Sequence, residues 1–264
     1  MSLYRGLTKI AGNGVKSAST DIVSFDISTW NVREFQSFGT PLTDDSDADV
    51  MPYIKYLNSL KADVLCTQED RTYLYDADAT GGQTVFEKIY SNWFRNQYMN
   101  TSNTNTKKTH ARRICTNYMF YNNGVIELNN IQIAVYGVIN VKGKEVLIVN
   151  PHLSWVEGIV SWSQLRKDES QKIRDTIASL GYEYVVVCGD FNAITNVEYS
   201  WWSDSEWNKA NAGVLGTFNT YDNGTSQEPN DNIITTKNIK IGNVEVIHNE
   251  FRDHFALSAK LTLL

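Results

Sequence analysis

Val185-Val186-Val187-Cys188-Gly189-Asp190-Phe191-Asn192-Ala193 is the stretch on which the reading of the fold turns. An apolar, β-branched run reads as a buried strand. It ends abruptly in Gly-Asp-x-Asn. Gly189 is expected to let the backbone turn sharply at the strand end. Asp190 and Asn192 are then expected on one face of the strand's C-terminal edge. Layered α/β proteins commonly place active sites at such edges. Many strands end in a Gly-Asp turn, so the weight falls on what closes the other strands.

Working outward, residues 158–180 read as a long helix leading into this strand, and residues 144–150 as a strand closing on Asn150-Pro151-His152. Residues 21–31 (DIVSFDISTWN) form a strand ending in Asn31, and residues 63–69 (DVLCTQE) one ending in Glu69. Between them, residues 47–60 carry apolar side chains at near-helical spacing. A further helix is expected over 81–92, a polar loop over 99–112, and strands over 113–121, 125–129 and 131–139. A Trp-rich loop and short helix fill 199–211, followed by strands over 232–236, 238–248 and 255–263. Strands with a few interspersed helices fit a layered α/β sandwich of two packed sheets with helices outside. Residues 1–20, rich in Gly, Ser and Thr, read as a flexible extension before one domain over 21–264.

At 264 residues, 42% apolar and 20% charged, the chain has the composition of an ordinary globular protein. No apolar run approaches the ~18–20 residues of a membrane span. The first twenty residues lack the apolar core of a secretory signal. This leaves the location open, with a cytoplasmic or a virion-associated protein as the expectation and export by another route or a mature form as alternatives. Cys66, Cys115 and Cys188 sit in apolar runs, and their odd count argues against a disulfide framework; they read as small buried hydrophobes. A net charge of −6 argues against strong nonspecific nucleic-acid binding. It leaves room for a nucleic-acid enzyme whose acidic ligands are offset by metal ions.

The polar residues closing the strands form an ordered series: Asn31, Glu69, His152, Asp190 with Asn192, Asp231, and Asp253 with His254. The strings carrying them are TWNV (29–32), TQE (67–69), NPHL (150–153), GDFN (189–192), DNI (231–233) and RDHF (252–255). In order and rough spacing they resemble the endonuclease/exonuclease/phosphatase superfamily across nearly the whole chain. The resemblance implies a four-layer α/β sandwich, two mixed sheets flanked by helices, and divalent-metal-dependent cleavage of phosphate esters.

Phosphodiester cleavage requires an in-line nucleophile, charge relief on the phosphoryl oxygens and a stabilised leaving group. Hard oxygen ligands suit Mg²⁺, with Mn²⁺ or Ca²⁺ as alternatives, and Glu69 with Asn31 could hold such an ion. Asp190 is placed to orient or deprotonate the attacking water, and Asn192 to donate to that water or to the phosphate. The resemblance pairs His254 with Asp231 and puts His152 on a non-bridging or leaving oxygen. It gives Asp253 either a metal contact or an orienting role.

The same superfamily cleaves DNA, RNA, phosphoinositides and sphingomyelin, so the substrate needs other evidence. Asn31-Val32-Arg33 and Glu69-Asp70-Arg71 each set an arginine two residues past a metal-site residue. The pancreatic deoxyribonuclease type is similar at both places, which implies that Arg33 and Arg71 bind DNA. The alternatives are a phosphatase or lipid phosphodiesterase on the same scaffold, and a non-catalytic binding module. The basic run 107–113 (KKTHARR) is either a phosphate-backbone clamp or a solvated loop. Trp201, Trp202 and Trp207 read first as loop packing and second as a stacking surface. The chain departs from the deoxyribonuclease type in offering no acid near 114–121 to partner His152. Residues 4–12 (YRGLTKIAG) resemble short N-terminal peptides that fasten bacteriophage tail proteins to the virion, implying a virion-attached enzyme.

Overall fold

The structure is a computed structural model that describes residues 22–32, 47–70, 94–100, 111–155, 160–212, 215–219, 227–250 and 253–264. The N-terminal extension, the helix expected over 81–92, and Arg33, Arg71, Lys107, Lys108 and His110 lie outside them.

Two strand–helix–strand units set the frame. In the first, β1 (Val23–Asn31) is followed by α1 (Asp47–Leu60) and by β2 (Val64–Asp70), which pairs parallel to β1. In the second, β7 (Lys144–Pro151) is followed by α2 (Val160–Leu180) and by β8 (Tyr184–Asp190), parallel to β7. A parallel pair needs a crossover of this kind, because a tight turn can join only antiparallel neighbours. Antiparallel strands extend each pair. They are β3 (Asn96–Asn100), β4 (Ala111–Thr116), β5 (Phe120–Glu127), β6 (Ile133–Val141), β9 (Trp207–Lys209), β12 (Asp231–Thr236), β13 (Ile239–Ile247) and β14 (Ala256–Leu263). The result is two six-stranded mixed sheets, ordered β13-β14-β1-β2-β4-β3 and β5-β6-β7-β8-β12-β9. A small ribbon pairs β10 (Phe218–Asn219) with β11 (Gln227–Glu228).

Alternation along the strands sorts the apolar residues into three layers of packing. Ile27, Cys66, Ile148, Val186, Cys188 and Ile233 fill the space between the sheets. On the outer face of the first sheet, Trp30, Leu65 and Cys115 meet Tyr53, Tyr56, Leu57 and Leu60 of α1. On the outer face of the second, Val149, Val185 and Val187 meet Ile173 and Ile177 of α2. This is the expected four-layer sandwich, with each buried side chain contributing roughly 1.5–3 kcal/mol. The cysteines are free and buried, as their context suggested. Among the described residues no helix is long and apolar enough to cross a membrane.

The strand expected over 113–121 is two strands in different sheets, β4 and β5, with residues 117–119 crossing between them. The apolar pattern runs on through the crossing because Tyr118 packs edge-on against Phe25, with ring centroids 6.4 Å apart, so periodicity alone gave no break. Trp202 and Trp207 are buried, and their rings meet edge to face at 5.0 Å, which makes them loop packing rather than a stacking surface.

Gly189 departs from its expected role. The strand runs through it to Asp190 without a turn. A Cβ there would lie 2.3 Å from the Pro151 carbonyl oxygen and 2.7 Å from Pro151 Cδ. Glycine is required because β7 and β8 approach closely. Gly189→Ala should therefore wedge the two strands apart and cost on the order of 1–3 kcal/mol of overpacking strain. Denaturant unfolding of that variant checks this, and an unchanged midpoint would show that the pair can open freely.

Candidate active site

The strand alternation that fills the inter-sheet core also builds the site. Ile27 points between the sheets, and two steps further on each time come Thr29 and Asn31. Val146 and Ile148 lead in the same way to Asn150 and His152, and Val186 and Cys188 to Asp190. On antiparallel β12, Ile233 leads back to Asp231. Since β1, β2, β7 and β8 belong to parallel pairs, their C-terminal ends open on one edge of the sandwich. The polar residues there cap the apolar core.

Asp190 is the hub, and it is fully buried. Its Oδ2 accepts from Asn31 Nδ2 at 2.9 Å and lies 3.7 Å from His152 Nε2 and 3.9 Å from His254 Nε2. Its Oδ1 accepts from the Asn192 backbone N–H at 2.8 Å. The Asn31 amide also donates to Glu69 Oε1 at 3.1 Å, and His152 Nε2 is 3.8 Å from the same oxygen. His254 Nδ1 stands 3.1 Å from Asp231 Oδ2, so the imidazole bridges two carboxylates. Asn31, Glu69, His152, Asp190, Asp231 and His254 thus converge. Asn192 contributes its backbone to Asp190, while its carboxamide donates to the Leu153 carbonyl at 2.8 Å. Asp253 is half-buried beside the cluster, and its Oδ1 accepts the His254 backbone N–H at 3.1 Å. Glu69 and Asn192 both adopt left-handed backbone, with φ of 51° and 47°, a conformation that non-glycine residues hold only under constraint.

Electrostatics follow from this geometry. Burial, and then the Asp231 charge, push the Asp190 carboxyl up to about 7 against the pull of His254 and Asn31. For His254, burial works against the charged ring. Asp231 outweighs it through its charge and hydrogen bond, with Asp190 and Asp253 adding, and lifts the imidazole to about 10.

The donor set fits a divalent cation in two ways. Glu69 and Asn31 face each other as expected. Asp190, Asp231 and His254 also offer ligand atoms within 4.8 Å of one another, a set that would take a cation only after the His254 imidazole gives up its proton. Asp231 Oδ1 in that group is buried and has no hydrogen-bond partner among the described residues. A carboxylate oxygen left without a donor in a dry cluster is where a cation would be most favourable.

Sequence reasoning missed the supports. Arg113 Nε pairs with Asp70 Oδ2 at 2.7 Å, and Arg112 Nη2 donates to the His152 carbonyl at 3.3 Å and to Gln132. Both guanidinium groups are buried. The end of the basic run therefore braces the site from within and is not a surface clamp. A paired arginine inside an otherwise apolar strand, ARRICT, was the available signal. Trp30 Nε1 and Asn249 Nδ2 both donate to the His254 carbonyl, at 3.3 and 2.9 Å. Glu169 holds the segment after His152 through the Ser154 backbone N–H at 2.9 Å and hydroxyl at 2.5 Å.

No protein-family profile and no curated protein sequence matches the chain. Solved structures do. An endonuclease/exonuclease/phosphatase protein from Bacteroides vulgatus superposes with a TM-score of 0.69 at 17% identity, covering 91% of this chain and 99% of that one. The catalytic domain of human Nocturnin, with a bound sulfate anion, gives 0.67 at 16%, covering 91% and 95%. A mannosyl-6-phosphatase from Bacteroides thetaiotaomicron gives 0.65 at 15%, covering 90% and 99%. The chain therefore has the endonuclease/exonuclease/phosphatase fold.

A pH dependence follows for the metal-free protein. Asp190 has a folded-state value near 7, above its ordinary 3.8, and His254 one near 10, above 6.5. Between the ordinary and folded values the native state binds the extra proton, so each group's stabilisation is lost as pH rises. The melting temperature should fall from about pH 4 to 7 through Asp190 and from about pH 6.5 to 10 through His254. Thermal melts in a chelator across pH should show Asp190→Asn flattening the first window and His254→Gln the second. Unchanged slopes in both variants would remove these groups as the source.

Proposed function

We propose that this chain is a divalent-metal-dependent phosphoesterase, and specifically an endonuclease that hydrolyses DNA. The observation that carries the chemistry is the convergence of Asn31, Glu69, His152 and His254 around the buried carboxylate of Asp190. No single one of these residues would distinguish a catalytic from a structural role. A carboxylate sharing one small space with two imidazoles, a second carboxylate behind one of them and a third across an amide bridge is the equipment of phosphoryl-ester hydrolysis.

Asp190 orients the attacking water and takes its proton, which a carboxyl poised near neutrality can do at physiological pH. Asn31 holds Asp190 and Glu69 at a fixed separation through one amide. His254, kept cationic by Asp231, places positive charge on the phosphoryl group. His152 donates a hydrogen bond to a non-bridging or leaving oxygen. A divalent ion at Glu69 and Asn31, when bound, would neutralise phosphoryl charge and stabilise the leaving alkoxide.

The DNA assignment rests on Arg33 and Arg71, each set two residues past a residue of this wall, where an arginine fork suits backbone phosphates. The sulfate anion bound to the Nocturnin catalytic domain is in keeping with oxyanion binding by a protein of this fold. A second reading, a phosphomonoesterase, is favoured by the mannosyl-6-phosphatase of the same fold.

Plasmid DNA, RNA, sugar and inositol phosphates and sphingomyelin, each offered with Mg²⁺, Mn²⁺ or Ca²⁺, separate these readings. Nicking of the plasmid is the expected result, and turnover of monoesters alone would overturn the endonuclease assignment. Asp190→Asn should lose on the order of 10²–10⁴-fold in rate while keeping its fold. Near-wild-type turnover in a folded Asp190→Asn protein would take Asp190 out of the mechanism. Replacing Arg33 and Arg71 together by alanine should impair duplex cleavage far more than cleavage of a small aryl phosphodiester. Equal losses on both would mean that the arginines do not serve DNA.

A further inference from the structure

The strand that carries Glu69 is irregular just where it matters. In β2, Thr67 stands opposite Arg113 of β4, and the next pairing is Asp70 opposite Ala111. Three steps along β2 therefore match two along β4, so β2 carries one extra residue, a β-bulge. A one-residue slip moves every later side chain to the other face. Leu65 faces α1 and Cys66 the inter-sheet core, so regular alternation would turn Thr67 and Glu69 outward and Gln68 and Asp70 inward. Instead Asp70 joins Thr67 on the outer side. It accepts from the Thr67 hydroxyl at 3.0 Å and from Arg113 Nε at 2.7 Å. Glu69, with φ of 51°, brings its carboxylate to Asn31 and within 3.8 Å of His152. The bulge is what aims Glu69 into the site.

Something must hold that bulge, and the opposite sheet supplies it. Asn150 of β7 is fully buried, two residues before His152. Its Nδ2 donates to the carbonyls of Thr67 and Arg113, both at 2.9 Å, the pair that brackets the bulge. Its Oδ1 accepts from Gln68 Nε2 at 2.7 Å. Gln68 Nε2 also donates to the Thr29 hydroxyl of β1 at 3.0 Å. Every one of these Asn150 side-chain bonds is spent on the bulge, and they tie the strand of Glu69 to the strand of His152.

We propose that Asn150 is a positioning residue for the metal-binding wall: from the second sheet it fixes the bulge of β2 and so the direction of the Glu69 carboxylate, with the Asp70–Arg113 pair bracing the bulge from outside. This rests on the reading that Glu69 holds the divalent ion. Partners of this kind behind a metal ligand are worth about 10–100-fold in metal affinity.

The test is calorimetric titration with Mn²⁺ alone, which needs no substrate, on wild type, Glu69→Gln, Asn150→Ala, Asp70→Asn and Leu263→Ala. Leu263 packs in the same inter-sheet core at the far end of the sheet, opposite Val23, and controls for general destabilisation. Asn150→Ala should weaken Mn²⁺ binding about tenfold or more. Asp70→Asn should act in the same direction by a smaller factor, and Leu263→Ala should have no effect. Asp70→Asn keeps an oxygen acceptor for Arg113, so it carries the test if Asn150→Ala does not fold. Where turnover is measurable, the Mn²⁺ needed for half-maximal rate should rise in parallel while the KM for substrate stays constant. If Glu69→Gln weakens binding but neither Asn150→Ala nor Asp70→Asn does beyond the Leu263→Ala control, the positioning role is wrong. If Glu69→Gln itself changes nothing, the ion is held elsewhere and the metal reading falls together with the proposal.

Discussion

One buried charge governs this structure. Asp190 has no access to solvent, and a carboxylate in such a place is stable only if protein groups replace the water it has lost. Two hydrogen bonds do part of that, from the Asn31 amide and the Asn192 backbone. The His254 imidazolium, its Nε2 3.9 Å away, supplies a favourable field. Asp231 works in the opposite direction, since its charge raises Asp190 while stabilising His254 as a cation. The arrangement is therefore balanced near neutrality rather than locked in one charge state. A proton acceptor that works near pH 7 needs a balance of this kind.

The balance depends on distances between elements far apart in the chain, so the two sheets must be tied at the edge as well as packed at the core. The chain does this with polar contacts at the points where apolar packing ends. Gly189 lets β8 close onto Pro151, and the Leu153 N–H donates to the Asp190 carbonyl at 3.0 Å. His254 is pinned through its carbonyl by Trp30 and Asn249, and the next strand begins on the hydroxyl of Tyr56, which accepts the Ala256 N–H at 2.8 Å. Asp231 is set by its own N–H, which donates to the Thr217 hydroxyl at 2.9 Å. Each contact fixes the backbone of a site residue and leaves its side chain for chemistry. Apolar packing alone could not do so, because it is non-directional.

Much of this was legible in the chain. The described strand ends and the two long helices followed from period and punctuation, and the polar residues read at those ends are the ones that the fold brings together. The order of strands in the sheets did not follow, nor did the crossing at 117–119, because apolar alternation is the same whichever sheet a strand joins. The bulge in β2 was hidden for a related reason. CTQED reads as a simple alternation, and nothing in Asp70 itself says that it turns outward to Arg113. Arg112 and Arg113 read as the end of a basic run, either a backbone clamp or a solvated loop, because charge is scored along the sequence while burial is decided across it. Asn150 carried a readable signal: a carboxamide at an inward position of a strand whose other inward residues, Val146 and Ile148, are core. A polar group there must find buried partners, and those partners turned out to be the bulge.

The fold fixes some features of the centre and leaves others open. The centre is assembled from strand ends that also close the apolar core, so its geometry is inherited from packing and persists through wide sequence change. Superpositions with TM-scores of 0.65 to 0.69 at 15 to 17% identity show that the fold itself persists through such change. Substrate choice has a different physical origin. It needs groups that reach past the phosphate, and the arginines proposed for that, Arg33 and Arg71, follow Asn31 and Glu69 by two residues in the sequence. Residues outside the core can change without disturbing Asp190, which is why one fold carries both nuclease-type and phosphatase-type proteins. On the proposed mechanism, binding energy from beyond the phosphate accelerates hydrolysis only if the phosphorus atom is held in line with the water at Asp190. The clamps around the bulge and around His254 are therefore what would let contacts at the rim be converted into rate at the centre.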